Sequence, residues 1–243
     1  MADSTIFAVA DSPFPSLEPV ESVLESFNPT IKMAADTSED AIIEAAKGAK
    51  ALFVTYAQIT AKVIETLDGC GAIGRFGIGL DNIDLDAATR LGILACNTPG
   101  VNTTEVADHA MAQLLALTRL IREFDSAVKS GQWSSQPQAV REIAGGLQRI
   151  AGSTVGIVGL GAIGRAFATR IRGFGPFRVV AYDPYIPQTA ADLYGVELVD
   201  LDELLTTSDF ITVHAPATDE THHIFSTDAF TRMKPSAILI NCA

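Results

Sequence analysis

The stretch Thr154–Gly164, TVGIVGLGAIG, decides how the chain is read. Thr154 to Val158 are β-branched or small and apolar, the composition of a buried strand. They run directly into Gly159-Leu160-Gly161-Ala162-Ile163-Gly164, after which Ile163, Ala166, Phe167 and Ile171 recur at helical spacing. A glycine turn between a strand and a helix has a physical use. Gly159 permits the tight turn, Gly161 leaves no side chain between the backbone and a diphosphate, and Gly164 lets the helix pack close to the strand. The free N–H groups of Ala162 and Ile163, with the helix dipole behind them, face the place where a diphosphate would sit. Alone, the G-x-G-x-x-G pattern is weak, and a ligand-free turn beside a surface acid is the competing reading.

The next strand strengthens the first reading. Arg178 to Asp183, RVVAYD, ends on an acid 19 residues after Gly164 (183 − 164). An acid there accepts hydrogen bonds from the adenosine ribose and repels a 2′-phosphate. Pro184-Tyr185 follow it, with no Arg to receive a phosphate. NAD is therefore expected over NADP.

Outward from this unit the pattern repeats. VELV, DFITVHAP and AILIN read as further strands, separated by the short helices DELLTTS and TDAFTRM. In an open α/β sheet, ligands sit beyond the carboxyl ends of the strands, which here are His214-Ala215-Pro216 and Asn241-Cys242-Ala243. On its own terms His214 is open to three readings: a general base, a cofactor-loop residue or a plain strand-end histidine. The first hundred residues alternate in the same way, through TIFAVA, TIKMAA, ALFVTY, GAIGR and ILACN, with Ser38 as a helix cap. Alternation at this spacing means α/β architecture with two parallel sheets. A long helix is expected from Thr103 to about Ile121, capped by Asn102 and continuing to Lys129, where Gly131 ends it. Ser134 to Ile150, with Pro137 and two glycines, is expected to be an irregular arm. Two domains follow, 1–102 and 103–243.

Composition bounds the partners. The net charge of −12 over 243 residues, with no basic cluster, argues against nucleic acid and anionic membrane. Cys70, Cys96 and Cys242 are too few and too scattered for a disulfide framework or a zinc site, and no metal is expected. The start, MADSTIFAVADSPF, lacks the pattern of a signal peptide, and no apolar run is long enough to span a membrane, so a cytoplasmic location is expected.

Taken together, RFGIGLDNIDLDAATRLGILACNTPGVNTTEVADHA, GIVGLGAIG, YDPY, VDLDELLTTSDFITVHAPATDETHHIF and MKPSAILINCA resemble the D-isomer-specific 2-hydroxyacid dehydrogenase family in order and along essentially the whole chain. VTYAQIT with YDPY is similar to the branch of C-terminal-binding proteins and their bacterial relatives. The resemblance implies a flavodoxin-like substrate domain, an NAD-binding Rossmann domain, and hydride exchange between NAD(H) and a small 2-hydroxyacid or 2-ketoacid. It implies that the Ile78 and Gly79 N–H groups hold the substrate carboxylate, where a bare glycine turn is otherwise a plausible anion nest or only a turn. It places Tyr56 in the same cleft, Val106 near the nicotinamide, His214, Ala215, Pro216 and Thr221 around the adenosine, and Cys242 and Ala243 by the nicotinamide ribose. A homodimer through the long helix and the arm, 103–147, is also implied.

Two departures shape the expectation. Members acting on phosphorylated hydroxyacids tend to carry Arg around position 55, where this chain has Thr55-Tyr56. The family's catalytic Arg, Glu and His would all lie beyond Ala243, so the Rossmann domain is expected to be incomplete and the chain inactive by itself. An alternative is an NAD-sensing interaction protein resembling the C-terminal-binding corepressors.

Overall fold

The computed structural model describes residues 4–243 and divides into two compact units, 1–101 and 102–243. Met1–Asp3, the beginning of the segment read for a signal peptide, lie outside the described residues.

The first unit runs β1 (Thr5–Val9), α1 (Glu18–Leu24), β2 (Pro29–Met33), α2 (Glu39–Ala46), β3 (Ala51–Val54), α3 (Ala61–Ile64), β4 (Ala72–Arg75), α4 (Leu85–Leu91) and β5 (Leu94–Cys96). Its five strands pair in parallel in the order β2-β1-β3-β4-β5, the flavodoxin-like winding. Local chemistry sets the helix starts. Ser38 Oγ accepts from the Ala41 N–H, as expected of a cap, and Asp84 Oδ1 does the same for Ala87. Ala8, Leu52 and Ile73, from the three central strands, are fully buried, and Ile42, Val63 and Ala87 from the helices pack with them.

The second unit runs α5 (Thr103–Thr118), α6 (Ile121–Lys129), α7 (Gln132–Ser135), α8 (Pro137–Gly145), β6 (Thr154–Val158), α9 (Ala162–Ile171), β7 (Arg178–Tyr182), α10 (Gln188–Asp192), β8 (Glu197–Leu198), α11 (Leu201–Thr207), β9 (Phe210–Val213), α12 (Thr227–Arg232) and β10 (Ile238–Asn241). The sheet order is β10-β9-β6-β7-β8, all parallel, which is the Rossmann winding. Period two along the strands divides the core. Val155, Ile157 and Ala181 face Leu114, Phe167 and Ile171, whereas Val158, Val180 and Ile211 face Leu204 and Leu205.

Three expectations are corrected here. The long helix is broken, not continuous. Leu120 takes the left-handed conformation (φ 50°), and the Thr118 carbonyl accepts from the Gln148 N–H, so helical bonding does not run on into α6. The arm is helical as far as Gly145 and irregular from 146 to 150: Pro137 takes the first turn of α8, where its missing N–H costs nothing. Asn102 precedes α5 without a side-chain cap, because its backbone (φ −119°, ψ 20°) is not the extended form that aims a side chain at the first turn.

Candidate nucleotide cleft and glycine turn

The carboxyl ends of β6, β7 and β9 converge on the Gly159–Gly164 turn. Gly159 is in the left-handed region (φ 89°), and a Cβ there would lie 2.6 Å from the Ala215 nitrogen, so the strand end of β9 is packed directly onto this turn. A Cβ on Gly164 would lie 2.2 Å from the Gly159 carbonyl oxygen, which is how closely α9 approaches β6. Gly161 is the opposite case: a Cβ there would meet nothing within 4 Å. The first turn of α9 therefore opens onto free space. Gly161 caps α9 without a side chain, and among the described residues the Ala162 and Ile163 N–H groups donate to no acceptor.

Asp183 is tied to this turn. Its Oδ2 accepts from the Leu160 N–H at 2.8 Å and its Oδ1 from the Tyr185 N–H at 3.0 Å. Both oxygens are aimed by backbone, with lone pairs left for a diol. Beside it lies a cleft of about 450 Å³ whose lining includes Gly159, Asp183, Ala215, Pro216 and Thr221. That volume suits one nucleoside-sized group. Thr221 Oγ1 donates to the Pro216 carbonyl at 2.5 Å, and the Thr218 N–H donates to Thr221 Oγ1 at 2.9 Å, so the loop after β9 is internally braced. An open glycine, unpartnered N–H groups and a fixed carboxylate beside a cleft fit an adenine dinucleotide.

His214 is mostly buried. Its Nε2 lies 3.0 Å from Thr212 Oγ1, its ring lies 5.7 Å from that of Phe167, and its buried Nδ1 has no partner among the described residues. Burial lowers its pKa to about 4, so the ring is neutral at pH 7. His214, Val106, Cys242 and Ala243 do not line the cleft. Val106 is half-buried on the first turn of α5. Cys242 packs against the core of the second unit, where burial pushes its thiol pKa up, and the Ala243 N–H donates to Asn241 Oδ1 at 3.0 Å.

In the first unit, Phe76 to Leu80 form a glycine turn beyond β4. The carbonyls of its three central residues are engaged. Gly77 O accepts from the Thr98 N–H, Ile78 O from Asn97 Nδ2 at 2.6 Å, and Gly79 O from Arg75 Nη1 at 2.7 Å. Among the described residues the Ile78 and Gly79 N–H groups have no acceptor. Tyr56 is exposed, and its own N–H donates to Asp11. Sequence reading missed the residues that frame this corner. Asp11 accepts from the N–H groups of Thr55, Tyr56 and Ala57, Arg75 Nε donates to Thr55 O, and buried Asn82 donates to Ala57 O at 2.8 Å. An acid directly after β1 was the only available signal for Asp11. Among the described residues no group of His, Cys, Asp and Glu side chains is arranged to hold a metal ion, and no helix is long and apolar enough to cross a membrane.

The family described as "D-isomer specific 2-hydroxyacid dehydrogenase, NAD binding domain" matches residues 111–243. The chain is 38% identical over 215 residues to a D-3-phosphoglycerate dehydrogenase of Methanocaldococcus jannaschii, covering 88% of this chain and 40% of that protein. It is 40% identical over 184 residues to a glyoxylate reductase of Thermococcus litoralis, covering 76% of this chain and 55% of that protein. The chain thus spans about half or less of the length of these curated relatives. Among solved structures, a D-lactate dehydrogenase from Aquifex aeolicus complexed with NAD and lactic acid superposes with a TM-score of 0.85 at 27% identity, covering 98% of this chain and 68% of that one.

Proposed function

The chain belongs to the D-isomer specific 2-hydroxyacid dehydrogenase family, and from that premise we propose that the whole protein interconverts a small 2-hydroxyacid and its 2-ketoacid with NAD(H). The observation that carries this is the Gly159–Gly164 turn with Asp183 bonded across it to the Leu160 N–H, beside a nucleoside-sized cleft. In this reading the Ala162 and Ile163 N–H groups receive the diphosphate. Asp183 holds the adenosine ribose diol and disfavours a 2′-phosphate. His214, Ala215, Pro216 and Thr221 close the adenosine side, and Val106, Cys242 and Ala243 serve the nicotinamide half. Bound NAD supplies the hydride chemistry at its nicotinamide ring. The Ile78 and Gly79 N–H groups and Tyr56 receive and orient the substrate carboxylate. Thr55 is buried with its hydroxyl on the Asp11 carbonyl, so position 55 itself supplies no cation for a substrate phosphate. An unphosphorylated acid is therefore the proposed substrate.

A homodimer through 103–147 is part of the proposal. It is supported by the exposed apolar side chains of α5 to α7 and by α8, none of whose residues is buried. A cytoplasmic setting is supported by three unpaired cysteines.

The whole protein is expected to oxidise NADH with glyoxylate or pyruvate, and far more slowly with 3-phosphohydroxypyruvate. No turnover with any 2-ketoacid would refute the activity, and a preference for the phosphorylated acid would refute the substrate class. In the chain itself, Asp183→Ala is expected to weaken NAD binding at least about tenfold, the worth of one hydrogen bond to a charged group. Unchanged dissociation constants for NAD and NADP would remove Asp183 from the site.

A further inference from the structure

The cleft beside Asp183 has a second wall that the glycine motif does not foretell. Its lining carries three carboxylates, Asp183, Asp219 and Glu220, and no Lys or Arg. Among the described residues none of the three makes an ion pair. Two of them are linked through one residue. The Tyr185 N–H donates to Asp183 Oδ1, and the Tyr185 hydroxyl donates to Glu220 Oε2. Tyr185 stands on the loop after β7 and Glu220 on the loop after β9, so the bond spans the two loops that border the cleft. The ring of Tyr185 is otherwise 75% exposed, so this hydrogen bond, more than packing, orients it. Glu220 sits in the loop braced by Thr218 and Thr221, which limits its freedom to swing into solvent. The hydrogen bond to Glu220 is also the largest cause raising the Tyr185 pKa.

We propose that Glu220 is a second determinant of cofactor choice: positioned by the Tyr185 hydroxyl, it joins Asp183 in a wall of fixed negative charge that excludes a 2′-phosphorylated nucleotide. The proposal rests on the NAD-binding reading of this cleft. Asp183 acts at short range, by bonding a ribose hydroxyl and crowding a phosphate. Glu220 acts across the cleft, as a charge whose effect grows with the phosphate's own charge and fades with salt. Tyr185 is a positioning residue, acting through Glu220.

The test is equilibrium binding of NADH and NADPH to the whole chain, at low and at high salt, for the wild type and for Glu220→Gln, Tyr185→Phe and the double variant. Glu220→Gln keeps shape and can still accept from Tyr185. It is expected to tighten NADPH about fivefold to tenfold, equivalent to about 1 kcal/mol, and to leave NADH within about twofold. The gain should shrink in roughly 0.5 M salt. Tyr185→Phe should tighten NADPH by a smaller factor in the wild-type background and by none in Glu220→Gln, because its effect runs through the carboxylate. An unchanged NADPH-to-NADH ratio in Glu220→Gln, with NADH still bound, overturns the proposal alone. Failure of the wild-type chain to bind NADH overturns the reading beneath it as well.

Discussion

His214 shows how position changes a side chain's chemistry. A histidine at the end of a Rossmann strand invites a catalytic role, because an ordinary imidazole titrates near neutrality. Here desolvation moves its pKa from 6.5 to about 4, and its buried Nδ1 lacks a partner. The consequence has a definite sign. Between these two values the unfolded chain binds the proton and the folded chain does not, so stability falls as pH drops from 6.5 toward 4. Allowing for its partial exposure, the loss from this one group by about pH 4.5 is about 1–2 kcal/mol. Asp209 adds to the loss on acidification, but in a lower pH range. Burial alone would raise its pKa, but Lys234 and the Thr154 N–H more than offset that, so its contribution is lost only below the usual carboxylate range. Urea midpoints at pH 7 and pH 4.5 should therefore drop less in His214→Asn than in the wild type, and equal drops would show that the ring is not buried neutral.

At the scale of the element, the β6-turn-α9 unit separates glycines that build the fold from the one that leaves room for a ligand. Gly164→Ala places a Cβ against the Gly159 carbonyl, a backbone atom that cannot move without parting α9 from β6. We expect a loss of about 2–4 kcal/mol in stability and of nucleotide binding with it. Gly161→Ala meets no neighbour, and Gly161 has φ −71°, which any residue adopts. Its stability cost is expected to be about 0.5 kcal/mol, the difference between Gly and Ala as a cap. Its NAD dissociation constant should rise at least about tenfold, since the methyl group stands where the diphosphate approaches. Thermal melts paired with NADH titrations check both, and normal NADH affinity in Gly161→Ala would move the diphosphate away from this turn.

At the scale of the molecule, the helices before β6 carry apolar side chains that the second unit does not cover. Leu117, Ile121, Val128 and Trp133 are all at least 48% exposed, and α8 buries none of its residues. Exposed apolar side chains on successive helices suit an association surface. The proposed occupant is a second copy of the chain. Light scattering is expected to give twice the 25.7 kDa chain mass, and Ile121→Asp with Val128→Asp should halve it without altering the far-ultraviolet circular dichroism. A wild-type mass of one chain overturns the dimer.

Much of this architecture was legible from residues 1–243 alone. Strand and helix alternation, the glycine turn and the acid at 183 are local patterns. They follow from φ/ψ preference, side-chain period and the need of a helix start for an acceptor, all of which act over a few residues. The break at Leu120 was not legible, because it depends on the Gln148 N–H reaching back to the Thr118 carbonyl. Nor was the Asp11 anchor, which gathers N–H groups 44 to 46 residues away. The second acidic wall of the cleft was hidden for the same reason: Tyr185 and Glu220 are 35 residues apart and meet only because β7 and β9 flank β6. What the sequence determined was which backbone segments become strands, turns and helix starts, since those choices are made locally. What only the tertiary structure decided was which distant polar groups face one another across them, since a hydrogen bond between two loops exists only once the sheet has brought the loops together.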